Sequence, residues 1–327
     1  MRLFILLITF LLLPLPVYAT FSIVAYDPVT GDLGIAVASR YFAVGAVVPW
    51  ADAGVGAVAT QAGVNVGYGP RALELLRQGL TAQQVMDRLF AEDTFPGKDA
   101  RQIAIIDAKG NIAVFTGDAA NAWRGHVKGK TWSAQGNILV GQHVVEAMGR
   151  AFDTTDDELA EKLYAALKAG DDAGGDSRGR QSASILVVRK GGGRNTNNDR
   201  YVFVNVDDHP DPMRELRRLM NIQMSINHQG ALNRSLREGT LDAALTSAEK
   251  LATYQPLDSA QHVRLGFVAY LAGKVDRSLA AFTRAKELTL PAQFKTAWDT
   301  AARNDAYKKV IADTAFVAKV FATAPPQ

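Results

Sequence analysis

The chain has 327 residues, 48% of them hydrophobic and 21% charged, and it contains no cysteine. Those proportions exclude a disordered chain, a collagen-like repeat and a disulfide scaffold, and the length suggests two domains. Thirty-six Lys and Arg against 33 Asp and Glu leave a net charge of +3 with no long basic run, which argues against a nucleic-acid partner. The missing cysteines exclude thiol nucleophiles and thiolate metal sites.

Arg2 precedes an apolar run from Leu3 to Val17, broken by Thr9 and closing on Val17-Tyr18-Ala19. A charged start, a short apolar stretch and an A-x-A-like exit predict a secretory signal peptide over residues 1–19, cleaved after Ala19. A helix of that run would rise about 22 Å, short of the ~30 Å hydrocarbon core. The expected protein is therefore periplasmic or secreted and free of the membrane once cleaved.

Phe21–Tyr26 and Leu33–Ser39 are β-branched, apolar runs separated by Asp27-Pro28-Val29-Thr30-Gly31-Asp32, which predicts a hairpin. Val55–Gln61 predicts another strand, and Pro70–Gln78 a helix stopped by Gly79. Thr81 and Gln84 have capping-box spacing for a helix running towards Phe90. Strands are expected at Gln102–Asp107 and Ile112–Thr116, and helices at Ile138–Ala151 and Asp156–Ala169, the latter ended by Gly170. After the loop Asp171–Gln181 come strands Ser184–Arg189 and Tyr201–Val206. Strand pairs alternating with helix pairs indicate an α+β fold with helices layered on stacked sheets.

Asp207-Asp208-His209-Pro210-Asp211-Pro212 interrupts this pattern and sets a domain boundary near residue 210, with residues 211–327 reading as helical throughout. There Gly239-Thr240-Leu241-Asp242 recurs as Gly273-Lys274-Val275-Asp276, 34 residues on. That period, with Leu265-Gly266, Tyr270, Phe282 and Ala285, resembles tetratricopeptide repeats, in which helix pairs bury a shared apolar face.

Several motifs fail on context. Gly125–Thr131 is one residue short of a phosphate loop, and Gly54–Ala59 lies in a strand instead of opening a helix. His143 and Glu146 lack a second pair to complete a carboxylate–histidine metal site. Asp207, Asp208, His209 and Asp211 suit a turn better than a hard cation. No metal and no cofactor is expected.

Cleavage after Ala19 would expose Thr20, which then carries nucleophile and base on one residue. Its α-amine, with a pKa of about 7.7–8.0, keeps a neutral fraction at pH 7 that can take the proton from its own hydroxyl. Residues 20–210 then resemble the DUF1028 family, a group placed with the N-terminal-nucleophile hydrolases. The resemblance runs through Thr20-Phe21-Ser22-Ile23-Val24-Ala25, Ala36–Arg40, Val48-Pro49-Trp50, Gly54–Gln61, Asn65 and Tyr68-Gly69-Pro70. It continues at Trp123–His126, Gln135-Gly136-Asn137, Ala173–Ser182 and Val206–Pro210. It implies a four-layer αββα sandwich and cofactor-free hydrolysis of an amide or peptide-like bond in a small molecule, with Thr20 as nucleophile.

By analogy with proteasome-type relatives, backbone N–H groups at Thr60-Gln61 would line an oxyanion hole, and Ser39 and Arg40 would flank the nucleophile. Those relatives place a lysine after the third strand; here no lysine occurs from Asp32 to Gly97, so Arg40 would supply the positive field. Asp176, Arg178 and Arg180 lie in a glycine-rich loop and form either a clamp for a substrate carboxylate or a structural pair. Asn65 and Asn137 either donate to an oxyanion or cap turns. A second reading stays open, in which the fold is an exported, non-catalytic scaffold and residues 212–327 recruit a protein partner. Homo-oligomerisation is compatible with both.

Overall fold

A computed structural model of the chain describes residues 19–118 and 123–322. The predicted leader, apart from Ala19, lies outside the described residues. Ten strands and eleven α-helices occur among the described residues, in two compact units. One unit runs to Arg189 and adds Asn205–Met213; the other combines Lys190–Val204 with the chain from Arg214 onward.

In the first unit the strands are β1 (Thr20–Tyr26), β2 (Leu33–Ser39), β3 (Pro49–Asp52), β4 (Gly56–Ala62), β5 (Arg101–Asp107) and β6 (Ile112–Thr116). They continue as β7 (Trp123–Lys128), β8 (Trp132–Leu139) and β9 (Ser182–Val188), with β10 (Arg200–Val206) spanning the division between units. The helices are α1 (Tyr68–Arg77), α2 (Ala82–Glu92), α3 (His143–Thr154) and α4 (Leu159–Asp172). One sheet has the order β10-β9-β2-β1-β8-β7 and the other β3-β4-β5-β6. The pairings with recorded register are antiparallel. Helices α3 and α4 lie on the larger sheet, α1 and α2 on the smaller, and β1 and β2 face β3, β4 and β5 across the interior.

Period-2 alternation decides which side chains meet between the sheets. Val24, Ile35, Val37, Ala57, Ala59, Ala104, Ile106 and Leu186 form a buried apolar cluster there. The same strand faces continue along the ladder into Ser22 and Thr20, Ser39, Gln61, Gln102, and Gln135 and Asn137. One end of the layer is thus hydrocarbon and the other is hydroxyls and amides.

The helix predicted at Ile138–Ala151 starts at His143 instead, because residues 132–139 form a strand beside β1, with Thr20 opposite Asn137 and Phe21 opposite Gly136. The residue pattern signals no strand at β3, β7 or β8. Gly170 does not end α4, which runs to Asp172; the reversal falls on Gly174 and Gly175, at φ 104° and 50°. The capping box of Thr81 and Gln84 forms, and Gly79 follows α1 at φ 92°.

The second unit contains α5 (Pro212–Glu238), α6 (Leu241–Tyr254), α7 (Ser259–Leu271), α8 (Val275–Glu287), α9 (Pro291–Ala302), α10 (Lys308–Ala312) and α11 (Thr314–Ala322). Gly239 and Gly273, the repeated glycines, sit at φ 74° and 71° just before α6 and α8, where only a residue without Cβ turns the chain cheaply. Phe267, Phe282, Trp298 and Tyr307 make its aromatic core. Among the described residues no helix is long and apolar enough to cross a membrane.

Candidate functional site

Thr20 opens β1, the strand held between β2 and β8, and is buried at 4% exposure. Its Oγ1 lies 3.0 Å from Ser39 Oγ on β2. Ser39 gives its single proton to the Ala19 carbonyl at 2.5 Å, so in the longer contact of 3.0 Å the Thr20 hydroxyl is the donor and Ser39 the acceptor. Arg178 Nη2 donates to the same Ala19 carbonyl at 2.9 Å.

Asp176 fixes Arg178. Its carboxylate accepts Nε at 3.1 Å, Nη2 at 2.8 Å and the Arg178 backbone N–H at 2.9 Å, a forked geometry suited to guanidinium. The same carboxylate takes the Arg40 backbone N–H at 2.7 Å, and its own backbone bridges to Leu139. Of the two readings of this loop, the observed contacts form the structural pair, with one guanidinium nitrogen directed at residue 19. Arg180 is held separately by Asp171 through Nε at 2.6 Å, a contact that raises the guanidinium pKa. A cavity of about 280 Å³ opens beside Ser39, lined by Phe21, Ala38, Asp171, Asp176 and Arg180 among others.

Behind Thr20 runs a network of neutral groups. Gln61 Nε2 and Asn137 Nδ2 reach the Thr20 carbonyl at 3.3 and 3.4 Å, and both donate to Gln102 Oε1, at 2.8 and 2.9 Å. Gln102 Nε2 donates to the Gly136 carbonyl at 2.9 Å and to Thr116 Oγ1 at 3.0 Å. Ser22 donates to Gln61 Oε1 at 2.6 Å and accepts from Gln135 Nε2 at 2.7 Å. Thr116 lies 3.0 Å from His126 Nδ1, and burial, then the Lys128 charge, lowers the His126 pKa and favours the neutral ring that can accept there. Asn137 Oδ1 is buried without a hydrogen-bond partner. The next residue, Ile138, has φ 52°, costly for a β-branched side chain, at a register shift between β7 and β8.

The structure gathers Thr20, Ser39, Gln61, Asn137, Asp176 and Arg178 at one end of the interior. It leaves others out. Thr60 points to the opposite face: its N–H is taken by the Val48 carbonyl at 3.2 Å and its hydroxyl by the Asn65 carbonyl at 3.2 Å. That corrects the expected backbone oxyanion hole at Thr60, and Gln61 enters through its side-chain amide. Asn65 caps its own turn, accepting from Gly67 N–H at 3.1 Å. Arg40 is exposed and its guanidinium donates to the Arg178 carbonyl, while the guanidinium that reaches residue 19 belongs to Arg178. Among the junction residues, His209 Nδ1 accepts the Asp211 N–H at 2.9 Å, and among the described residues no cluster suited to a metal ion occurs. Sequence reasoning missed Ser22, Gln102 and Gln135; the available signal was a glutamine at an inward position of a strand otherwise apolar, as in Gln102-Ile103-Ala104-Ile105-Ile106.

No curated protein matches the chain. Among solved structures it is similar to the crystal structure of protein SPO2555 from Silicibacter pomeroyi, a DUF1028 protein. The match has 33% identity and a TM-score of 0.56, covering 62% of this chain and 88% of that one. Residues 20–216 match the family described as a family of unknown function, DUF1028, which is more than half of the sequence. The chain belongs to the DUF1028 family.

Proposed function

We propose that the protein is an exported hydrolase of the N-terminal-nucleophile type, built on an αββα sandwich, that cleaves an amide or peptide-like bond in a small molecule without a cofactor. The observation that carries this reading is the position of Thr20: its hydroxyl is hydrogen-bonded at 3.0 Å, at the start of a central strand, beside a carbonyl held by two donors. Release of the leader after Ala19 gives Thr20 a free α-amine. Asn137, its register partner, carries the buried and unpartnered Oδ1 that such an amine can satisfy.

In the reaction the neutral α-amine takes the Thr20 hydroxyl proton while Oγ1 bonds to the substrate carbonyl carbon, and the C=O electron pair moves to oxygen. Collapse of the tetrahedral adduct breaks the C–N bond, and the leaving amine takes the proton from the α-ammonium. Water, deprotonated by the same amine, attacks the ester; the acid leaves and Thr20 is restored. The glutamine and asparagine side chains around it carry no charge to compete with the amine for that proton. The helical unit is assigned to a protein partner or to self-association.

Thr20→Ala removes the nucleophile and should lower amide hydrolysis by more than about a thousandfold with the fold intact, whereas Thr20→Ser should keep a measurable fraction. Screening the exported protein and both variants against small amides checks this; undiminished turnover by Thr20→Ala would sink the reading.

A further inference from the structure

The carbonyl of residue 19 is 0% exposed in its residue and receives two hydrogen bonds, from Ser39 Oγ at 2.5 Å and Arg178 Nη2 at 2.9 Å. Neither donor is adventitious in its placement. Ser39 lies at the end of β2 opposite Thr20 in the ladder, and Arg178 is locked by three bonds to a carboxylate that is itself 2% exposed. Peptide carbonyls at a strand end ordinarily meet a backbone N–H or water; here a hydroxyl and a guanidinium converge on one oxygen. The same Ser39 oxygen also receives the Thr20 hydroxyl.

We infer that Ser39 Oγ and the Arg178 guanidinium are the oxyanion-stabilising donors of the mature protein, with the Ala19 carbonyl occupying their place while the leader is attached. This rests on the reading of Thr20 as nucleophile. An acyl carbon on Thr20 Oγ1 and one on the Thr20 nitrogen hang from atoms of a single residue, three bonds apart. One pair of donors therefore reaches the carbonyl oxygen of either. The oxygen gains negative charge only as Oγ1 bonds to the carbon, so a fixed cation and a fixed hydroxyl favour the adduct over the ground state. Thr60 offers no competing N–H, since Val48 holds it. Asp176 is a positioning residue: it touches Arg178, not the reacting atoms.

A simple aliphatic β-lactone tests the assignment on the exported protein. Thr20 Oγ1 bonds to the lactone carbonyl, the ring C–O bond breaks, and the ring oxygen takes the proton, giving an ester that is read by acid quench before water cleaves it and that adds the mass of one probe. The wild type should gain one such mass on the Thr20 peptide. Ser39→Ala and Arg178→Ala should each acylate about 10²–10³-fold more slowly, and guanidinium chloride at millimolar concentration should restore part of the rate in Arg178→Ala alone. A merely structural role for Arg178 would give no such rescue. Should Arg178→Ala fail to fold, Arg178→Lys, which keeps the charge but loses the fork on Asp176, and Ser39→Ala decide the matter on their own rates. Folded variants that acylate at the wild-type rate overturn the donor assignment while leaving Thr20 as nucleophile. A wild type with a free Thr20 that takes up no lactone removes the nucleophile and the donors together.

Discussion

The two ends of the layer between the sheets share strands and side-chain faces yet are built from opposite materials. At one end Val24, Ile35, Ala57, Ile106 and Leu186 pack with no polar atom among their side chains. At the other, Thr20, Ser22, Ser39, Gln61, Gln102, Gln135 and Asn137 are buried and joined by hydrogen bonds. The apolar end stabilises in proportion to area removed from water and is indifferent to exact direction. The amide end is directional: each buried donor or acceptor costs about 1–3 kcal/mol when left unpaired, so the network holds few alternative geometries. Charge is kept out of this network and placed at its mouth, on Asp176 and Arg178. The first end thus accounts for the fold and the second for the position of one hydroxyl.

Substitutions at the two ends should separate those roles. Gln102→Leu keeps volume but strips partners from Gln61, Asn137 and the Gly136 carbonyl. The expected loss is on the order of 4 kcal/mol in denaturant unfolding, together with hydrolytic activity. If Gln102→Leu stays fully active, the network does not position Thr20. Ile106→Ala at the apolar end opens a cavity and should cost about 3 kcal/mol while turnover at permissive temperature stays at the wild-type level. A parallel fall in turnover would show that the two ends are not separable. The smallest effect belongs to the edge of the network. The folded state lowers the His126 pKa below its ordinary value of 6.5, so its contribution is present above that pH and is lost as pH falls through the depressed value. Melting temperature should therefore drop between pH 7 and 5 more steeply in the wild type than in His126→Phe; equal slopes would remove His126 from the account.

Much of the apolar end could be read directly from the chain, because Ile23-Val24-Ala25 and Ile35-Ala36-Val37 announce a hairpin through β-branching and alternation. The amide end was harder. Strand β8, Trp132-Ser133-Ala134-Gln135-Gly136-Asn137-Ile138-Leu139, turns its polar residues inward, reversing the usual sign of the alternation, and so was not seen as a strand. Its last apolar residues were absorbed into the following helix, since nothing local reveals that Ile138 adopts a positive φ at a bulge. Thr20 and Ser39 were found through chemistry and resemblance, and their contact of 3.0 Å follows from the ladder that sets them opposite each other. Arg178 is one of three charged residues of its loop with the right chemistry, and only the fold shows that it, and not Arg40, reaches residue 19.

Whether Thr20 acts with its own free amine is decided by the mass of the intact protein exported by its native host. The expected mass is that of a chain beginning at Thr20 with an unmodified α-amine. A chain beginning at any other residue, or a blocked amine on Thr20, would contradict it by removing base and nucleophile at once.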